Sequence, residues 1–295
     1  MTATGAPTAI FLNEGAGTAR TDRVRETVEL ARTALDADLH VTATRDVGEL
    51  TEWLGGLLGH YETAVIVGGD GSLATAYNMA AGHPNLRLGY IPAGFGNASR
   101  HLLRLPEDPK GQVEILSRGD DRPIDFVEVD GRLALFASAG WDALVAGRYA
   151  EAGAKRLPGW ASAITRSIPD LWRRPSVEVR ADGWAVHRGP IELLVVGTTP
   201  FYGRGLKINP GARPDAGRLS LRIYPGPAPR LALEAARWAI GVRPQAPRID
   251  ATEVTVHALD GDAIPMQADG DLISSAVDWR FTLRPGAVRL IGRWS

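Results

Sequence analysis

The chain has 295 residues, 44% apolar and 23% charged, which is enough to bury one large hydrophobic core or two moderate ones. Its formal net charge of -1 gives no basic field that would draw it onto nucleic acid, so we expect no nucleic-acid partner. The lack of cysteine excludes disulfides, cysteine-ligated metals and thiol nucleophiles, and it fits a cytoplasmic protein.

The beginning of the chain, MTATGAPTAIFLNEG, has neither a basic start nor a long apolar stretch and does not resemble a signal peptide. The longest apolar runs, such as IELLVV at 191–196, are far shorter than the ~20 residues that span a bilayer. Any membrane contact is therefore expected to be peripheral.

The first third of the chain alternates strand-like apolar runs with segments of helical periodicity. The strands are predicted over TAIFLN (8–13), HVTAT (40–44), AVIV (64–67) and LRLGYIP (86–92). Between them, apolar residues recur at helical spacing, as in the segment that follows the predicted cap Thr21. This order predicts a parallel sheet with helices on both faces.

After Asp125 the pattern changes to short apolar segments separated by turn residues. The dipeptides Asp130-Gly131, Asp182-Gly183 and Asp269-Gly270 are typical of β-hairpin turns. Helical insertions are expected around 159–173 and 229–241. The sequence thus predicts an α/β plus β protein: a parallel α/β domain over 1–125, then an antiparallel β-sandwich domain over 126–283.

The stretch VIVGGDGSLATAYN (65–78) places glycines directly after a buried strand and before a helix. Such a loop gathers backbone N–H groups at a helix N-terminus, which is how proteins bind phosphate without a cation. Asp70 would repel phosphate unless it held a metal, a ribose hydroxyl or a neighbouring amide, and this favours a nucleotide with Mg²⁺. The alternative is a tight strand-to-helix turn with the aspartate as a cap. The residues concerned are Gly68, Gly69, Asp70, Gly71 and Ser72.

A second loop of similar build, PAGFGNASR (92–100), follows the next strand and again precedes a helix. In a parallel sheet both loops lie at the carboxyl edge, where ligands bind. Gly94, Gly96 and Asn97 therefore join the first loop as candidate nucleotide-binding residues.

These motifs resemble those of the diacylglycerol kinase catalytic-domain superfamily, which includes bacterial lipid kinases and sphingosine kinases. The segments that carry the resemblance are NEGAG from Asn13, GGDGS, PAGFGNASRH, RPIDFVEVDG, SAGWDALV, FYGRGLKINPGARPDAGRLSL and QADGD. The resemblance implies a nucleotide-binding domain that the C-terminal segment 284–295 rejoins, a β-sandwich domain for the lipid, and ATP with Mg²⁺.

The resemblance also implies roles for single residues. It assigns the general base to Asp269, an associated carboxylate network to Asp125 and Asp271, and a nucleotide contact to Asn13. Asp142 matches a residue that faces the substrate headgroup, and Asp215 matches one that holds a structural Mg²⁺. The alternatives are purely structural roles: a hairpin turn at Asp269, a turn cap at Asp125 and a buried, hydrogen-bonded carboxylate at Asp142.

Four residues depart from the family pattern. Phe95 stands in place of a hydroxyl residue that contacts phosphate, Ala98 and Ala216 replace aspartates, and Asp271 is shorter than the usual glutamate. Arg204 also interrupts a glycine run. The departures leave open a catalytically impaired lipid- or nucleotide-binding homologue.

The segment LPGWASAITRSIPDLWRRP (157–175) places apolar residues near helical spacing among arginines. An interfacial helix that docks on anionic lipid has this pattern, although such stripes also pack on protein cores. The leading hypothesis is an ATP-dependent lipid kinase acting on a diacylglycerol-like or sphingoid lipid at a membrane surface. A kinase of a soluble alcohol or of NAD is the second enzyme hypothesis, and a homo-oligomer is left open.

Overall fold

The computed structural model describes residues 7–151, 156–172, 174–202 and 205–294. It divides into two compact units, the first formed by Met1–Ile124 with Gly286–Ser295 and the second by Asp125–Pro285. The predicted domain boundaries, after 125 and after 283, lie within one or two residues of these divisions.

The first unit contains a parallel sheet in the order β2-β1-β3-β4, and the end of β16 pairs with β4. The strands are β1 (Thr8–Asn13), β2 (Asp38–Thr42), β3 (Thr63–Gly68), β4 (Arg87–Pro92) and the last residues of β16 (Asp278–Ile291). β3 is buried along its whole length, which explains why its sequence is a continuous apolar run rather than an alternating one. The predicted strand at 40–44 begins two residues earlier than expected.

Five helices connect and cover these strands: α1 (Asp22–Leu35), α2 (Val47–Gly55), α3 (Asp70–Ala80), α4 (Ala98–Leu102) and α5 (Pro109–Arg118). A 3-10 turn spans Leu58–His60. α5 begins as its sequence predicts, because the Asp108 side chain accepts a hydrogen bond from the Gly111 N–H and proline occupies the first helical turn. The alternation of strands and helices confirms the predicted α/β architecture.

The second unit is built from antiparallel strands. One sheet has the order β12-β11-β10-β7-β14-β15, and the other joins the first residues of β16 to β13, β8 and β9. The strands are β5 (Asp121–Val129), β6 (Arg132–Ala134), β7 (Phe136–Gly140), β8 (Ser176–Ala181), β9 (Trp184–Pro190), β10 (Leu193–Gly197), β11 (Leu219–Tyr224), β12 (Ile249–Ala251), β13 (Glu253–Ala258), β14 (Ile264–Ala268) and β15 (Asp271–Ala276).

Side chains from both sheets meet in one hydrophobic core that includes Leu194, Val196, Leu221, Val254 and Phe281. Facing sheets that bury alternate residues in this way form a sandwich, as predicted. The three Asp-Gly dipeptides lie in hairpin turns with positive φ at both residues, for example 50° at Asp269 and 97° at Gly270.

The described part of the second unit contains three helices: α6 (Trp141–Glu151), α7 (Arg156–Ser167) and α8 (Ala228–Ala239). A 3-10 segment, Ile168–Trp172, continues α7, so the predicted helix at 159–173 is two elements. α6 was not predicted, because its residues follow β7 without a turn signal. Among the described residues, no helix has both the length and the apolar character needed to cross a membrane.

Candidate active site

The two glycine loops of the first unit touch through their backbones. A Cβ atom added at Gly94 would lie 2.5 Å from the Cα of Gly69, and one added at Gly68 would lie 2.6 Å from the Ser72 side chain. Gly71 is the opposite case: it is exposed, and a Cβ there would meet nothing within 4 Å. The first turn of α3 is therefore open to a ligand, and a helix N-terminus of this kind favours phosphate.

Asp70 joins the first loop to the second. Its Oδ2 accepts a hydrogen bond from the Ala98 N–H (3.0 Å) and its Oδ1 accepts one from the Ser99 N–H (3.1 Å). These amides begin α4, so the carboxylate caps that helix from 28 residues away in the chain. Of the three partners that the sequence left open for this aspartate, the structure shows the neighbouring amide.

Asn97 closes the second loop on itself. With φ at 45°, its Oδ1 accepts from the Gly94 N–H (2.9 Å) and the Tyr90 hydroxyl (3.2 Å), while its Nδ2 donates to the Gly94 carbonyl (2.9 Å). Burial, with a contribution from the charge of Asp70, holds the pKa of Tyr90 well above its usual range, so this phenol remains a donor. The side chain of Asn97 therefore shapes the loop, and its predicted contact with phosphate stays a prediction.

Asn13 ends β1 beside the first loop. Its Nδ2 donates to the Ser72 hydroxyl (3.3 Å) and its Oδ1 accepts from the Gly15 N–H (2.9 Å). A Cβ at Gly96 would lie 3.2 Å from Oδ2 of Asp70. The structure thus brings all the predicted nucleotide-binding residues to the carboxyl ends of β1, β3 and β4.

In the second unit, Asp269 occupies the turn between β14 and β15. Its Oδ1 accepts hydrogen bonds from the N–H groups of Leu135 and Phe136 (both 3.2 Å), and its own N–H donates to the Phe136 carbonyl (3.0 Å). The hairpin interpretation is correct for the backbone. The amides of residues 135 and 136 also fix the half-buried carboxylate in one position, which a catalytic base requires.

Asp142 lies in the first turn of α6, and its carboxylate points into a polar cluster formed with Ser138, Tyr202 and Gln267. Its Oδ2 accepts from the Tyr202 hydroxyl (2.5 Å), from the Ser138 hydroxyl and from Nε2 of Gln267 (3.3 Å). Oδ1 is buried without a hydrogen bond of normal geometry, although the Ala143 N–H favours its charge. An acceptor atom in this state is suited to a donor from a ligand.

The electrostatics of this cluster are dominated by burial. Burial raises the pKa of the Asp142 carboxyl, and the hydrogen bonds from Ser138, Tyr202 and Gln267 oppose that rise. The pKa of the Tyr202 hydroxyl is raised well above its usual range, first by burial and then by the neighbouring charge of Asp142. Tyr202 therefore stays protonated at neutral pH and donates a hydrogen bond to the carboxylate.

Asp125 organises a loop of the second unit. It is buried, its Oδ2 accepts from the Gly217 N–H (2.6 Å), and its own N–H donates to the Pro214 carbonyl (2.6 Å). Asp215 lies on this loop, is exposed, and forms an ion pair with Arg213 (3.2 Å between Oδ1 and Nε). Asp271 is the exposed first residue of β15.

The surroundings of Asp215 do not fit a protein-held Mg²⁺. Mg²⁺ prefers about six oxygen ligands. Ala216 supplies no carboxylate, and the Asp215 carboxylate already forms an ion pair with the Arg213 guanidinium. Within the described ranges, no group of three or more histidine, aspartate or glutamate residues is placed to hold a metal. The predicted metal role of Asp215 therefore lacks a supporting ligand set.

Sequence reasoning missed Ser138, Tyr202 and Gln267. Ser138 and Gln267 are cross-strand partners on β7 and β14, and both point away from the apolar core. A polar residue at the outward position of an otherwise apolar strand was the available signal. The motif that contains Tyr202 and Arg204 gave no separate signal for Tyr202, and Arg204 lies outside the described residues.

Two family models match the chain in succession. Residues 7–129 match the diacylglycerol kinase catalytic domain, and residues 136–292 match the YegS C-terminal NAD kinase beta sandwich-like domain. A diacylglycerol kinase of Staphylococcus carnosus is 29% identical over 185 residues, which cover 61% of this chain and 60% of that protein. A Pseudomonas fluorescens protein named "Probable lipid kinase YegS-like" is 28% identical over 91% of this chain and 90% of its own length.

Solved structures show the same fold. A diacylglycerol kinase from Bacillus anthracis has a TM-score of 0.77 at 18% identity and covers 98% of this chain and 97% of its own. An NAD kinase from Archaeoglobus fulgidus in complex with ATP has a TM-score of 0.53 at 16% identity, with 98% and 94% covered. The chain belongs to the diacylglycerol kinase catalytic-domain superfamily. This is the family that the order of the motifs predicted.

Proposed function

We propose that this protein is an ATP-dependent lipid kinase that phosphorylates a hydroxyl of a diacylglycerol-like or sphingoid lipid. The observation that carries the proposal is the pair of glycine loops, whose backbones touch at Gly69 and Gly94 while Gly71 leaves the α3 N-terminus open. This arrangement fits the phosphates of a nucleotide. The match over 91% of the chain to a protein named "Probable lipid kinase YegS-like" supports the substrate class.

The chemistry requires a group that accepts the proton of the lipid hydroxyl. We assign this role to Asp269, whose carboxylate is held by the amides of Leu135 and Phe136. As the proton moves to the carboxylate, the hydroxyl oxygen bonds to the γ-phosphorus, the bond from that phosphorus to the bridging oxygen breaks, and ADP leaves. Mg²⁺ carried by ATP would neutralise charge on the phosphates.

The cluster around Asp142 is proposed to bind the lipid headgroup. Its buried Oδ1 needs a donor, and a hydroxyl or an amine of the acceptor lipid would supply one. The other oxygen, Oδ2, already accepts hydrogen bonds from Tyr202, Ser138 and Gln267. These bonds orient the carboxylate and leave Oδ1 for the ligand.

The alternative of a catalytically impaired homologue rests on the departures from the family pattern. One of them has little effect in this geometry, because Ala98 serves Asp70 through its backbone N–H, which any residue other than proline provides. Phe95 still removes a hydroxyl from the second loop, so nucleotide binding must be measured directly.

We also propose that the lipid is met at a membrane surface. Ile164, Ile168 and Trp172 form an exposed stripe along α7 and the 3-10 segment, with 43%, 44% and 72% of each residue exposed. The sequence from 156 to 174 contains four arginines and one aspartate, and this positive charge complements an anionic lipid surface.

The test is transfer of labelled γ-phosphate from ATP to diacylglycerol, monoacylglycerol, sphingosine and ceramide in mixed micelles. We expect Asp269→Asn to reduce the rate by at least ~100-fold, because general-base contributions are typically of this size or larger. Asparagine tolerates positive φ and keeps an oxygen for the backbone amides, so the turn is expected to survive.

Asp130→Asn is the matched control, since Asp130 occupies the same position in the β5–β6 hairpin, with φ at 51°. Its rate should stay within twofold of wild type. A nearly unchanged rate in Asp269→Asn would remove the base assignment. Transfer to no lipid, together with no ATP binding by calorimetry, would make the impaired homologue the better description.

A further inference from the structure

A cavity of about 500 Å³ lies in the second unit beside the end of β7 and the starts of β10 and β14. It is within the range of about 300–1,000 Å³ that is usual for ligand sites. Asp269 follows the opposite end of β14, and the cavity includes no residue assigned above to phosphoryl transfer. Its chemistry therefore calls for a separate account.

Glu192 is the central polar group of this cavity. Its side chain is 2% exposed, and its Oε1 lies 3.5 Å from Nε of Arg174 without a hydrogen bond from any described residue. Burial raises the pKa of this carboxyl, and Arg174 offsets only part of that effect. A buried carboxylate oxygen without a hydrogen bond is costly, which indicates that a donor group is needed at Oε1.

The backbone holds Glu192 firmly in this position. Its N–H donates to the Tyr224 carbonyl and its carbonyl accepts from the Trp141 N–H, both at 2.9 Å. Gly140 has φ at 109°, and a Cβ there would lie 2.3 Å from the Glu192 carbonyl oxygen. The close approach of these two strands thus requires glycine and fixes where the carboxylate stands.

The rest of the lining favours a cation. Asp260 and Asp262 add two carboxylates, while Asp170 is paired with Arg148 (2.5 Å). Hydrogen bonds from the N–H groups of Ser176 and Asp262 lower the pKa of Asp260, so it stays charged. The lining residues other than the Asp170–Arg148 pair carry three acidic groups against Arg174, an excess of two negative charges.

The acidic groups are too dispersed for a metal ion. Among residues that the structure describes, no three histidine, aspartate or glutamate side chains meet the spacing of a metal site. The lining also includes Trp141 and Trp172, and the faces of indole rings attract organic cations. A larger cation that combines N–H or methyl groups with positive charge matches both features.

From this geometry we propose that the cavity binds an ammonium group, with Glu192 as its main counter-charge. The source of the group is either a soluble amine or the headgroup of a membrane lipid. Trp172 belongs both to the cavity lining and to the exposed stripe, so a lipid held at the stripe would place its headgroup near the cavity. The site is independent of the phosphoryl-transfer proposal, because binding is measured without ATP.

The experiment measures binding of choline and ethanolamine to the full chain by calorimetry and ligand-observed NMR. The neutral isostere 3,3-dimethylbutan-1-ol is the ligand control. We expect both ammonium compounds to bind and the isostere to bind at least tenfold more weakly. Absence of choline and ethanolamine binding, or equal binding of the isostere, would overturn the proposal.

Variants then locate the site. Glu192→Gln keeps the shape of the side chain and should weaken choline binding at least tenfold. Glu178→Gln, which removes an acid that pairs with arginines outside the cavity, should change it less than twofold. If Glu192→Gln fails to fold, the exposed Asp262→Asn must weaken binding severalfold. An unchanged affinity in a folded Glu192→Gln protein, or in Asp262→Asn when that variant decides, refutes the assignment.

Vesicles distinguish the two sources of the ammonium group. If a lipid headgroup is the natural ligand, soluble choline should displace the protein from phosphatidylcholine vesicles but not from phosphatidylglycerol vesicles. If choline binds but displaces nothing, the ligand is a soluble amine. Either result upholds the ammonium site and names its source.

Discussion

Single residues in this protein do work that their types alone do not reveal. Asp70 lies in a loop that was expected to face a nucleotide, yet its carboxylate holds the amides of Ala98 and Ser99. It therefore fixes the shape of the second loop. Asp142 differs from Asp70, because one of its carboxylate oxygens is buried and lacks a normal hydrogen bond.

Because the pKa of Asp142 is raised, we expect the effect of Asp142→Asn on the free energy of unfolding to depend on pH. The folded protein binds this proton more tightly than the unfolded chain, so its contribution to the unfolding free energy is fully present below the ordinary pKa of 3.8. It is lost as pH rises through the raised value, at about 1.4 kcal/mol per unit of elevation. Asparagine does not titrate, so the variant should gain stability relative to wild type as pH rises from about 4.

Urea unfolding of wild type and variant across pH 4–8 measures this difference. Asp130→Asn removes a carboxylate from an exposed hairpin turn and serves as the control. A stability difference between wild type and Asp142→Asn that stays constant, or that moves in the opposite direction with pH, would contradict the proposed state of the carboxylate.

At the scale of the residue, sequence predicts the glycines of the site better than its hydrogen bonds. Gly69 and Gly94 were identified because a glycine loop between strand and helix is a local pattern. The contacts of Asp142 with Tyr202 and Gln267 join positions 60 and 125 residues apart, so no local pattern contains them. Such contacts are set by the register of the strands, which the sequence does not state.

At the scale of the element, the sequence of α7 predicted a helix correctly but did not show which face of that helix is buried. The spacing of apolar residues predicted a helix but left two partners open, a protein core or a lipid surface. In the structure the small residues Ala163 and Ser167 are buried, whereas Ile164, Ile168 and Trp172 are exposed. Among the described side chains, α7 therefore packs through Ala163 and Ser167, while Ile164 faces outward and Ile168 and Trp172 extend this exposed face along the 3-10 segment.

The exposed stripe predicts how the protein behaves with membranes. Replacing Ile164, Ile168 and Trp172 by serine should lower binding to vesicles that contain phosphatidylglycerol by at least tenfold, because three apolar side chains lose their contact with the acyl region. Sedimentation with vesicles at several salt concentrations measures it. The double variant Leu39→Ser, Val41→Ser removes exposed apolar residues of β2 and should leave binding within twofold. Equal losses in both proteins would show that the stripe has no special role.

The other elements were predictable to different degrees. The Asp-Gly hairpins followed directly from sequence, because residues that accept positive φ specify the turn. The predicted position of β2 was two residues too far along the chain, because no turn residue directly follows Thr42 to mark the end of the strand. α6 was missed since Trp141 follows β7 at once, so no connecting turn marks the start of a helix.

For the whole molecule, the main topological feature is that the chain leaves the first unit at Ile124 and returns to it at Gly286. The end of β16 pairs in parallel with β4, where Leu290 faces Leu88 in register and is fully buried. The Arg289 side chain pairs with Asp121 (2.5 Å), and the Gly292 N–H donates to the Asp120 carbonyl (3.1 Å). The resemblance to the kinase superfamily implied this return, whereas apolar periodicity alone could not say which sheet the last strand joins.

Leu290→Ala tests how far the first unit depends on this returning strand. A leucine-to-alanine change in a packed core costs about 2–5 kcal/mol, because the cavity closes only partly. We expect the free energy of unfolding of the first unit to fall by that amount. The loss is measured as faster hydrogen exchange in peptides from β4, the strand that leads into the second glycine loop. Val41→Ala, on an exposed position of β2, should cost no more than about 0.5 kcal/mol. If both variants exchange alike, the C-terminal segment does not contribute to the core of the nucleotide-binding unit.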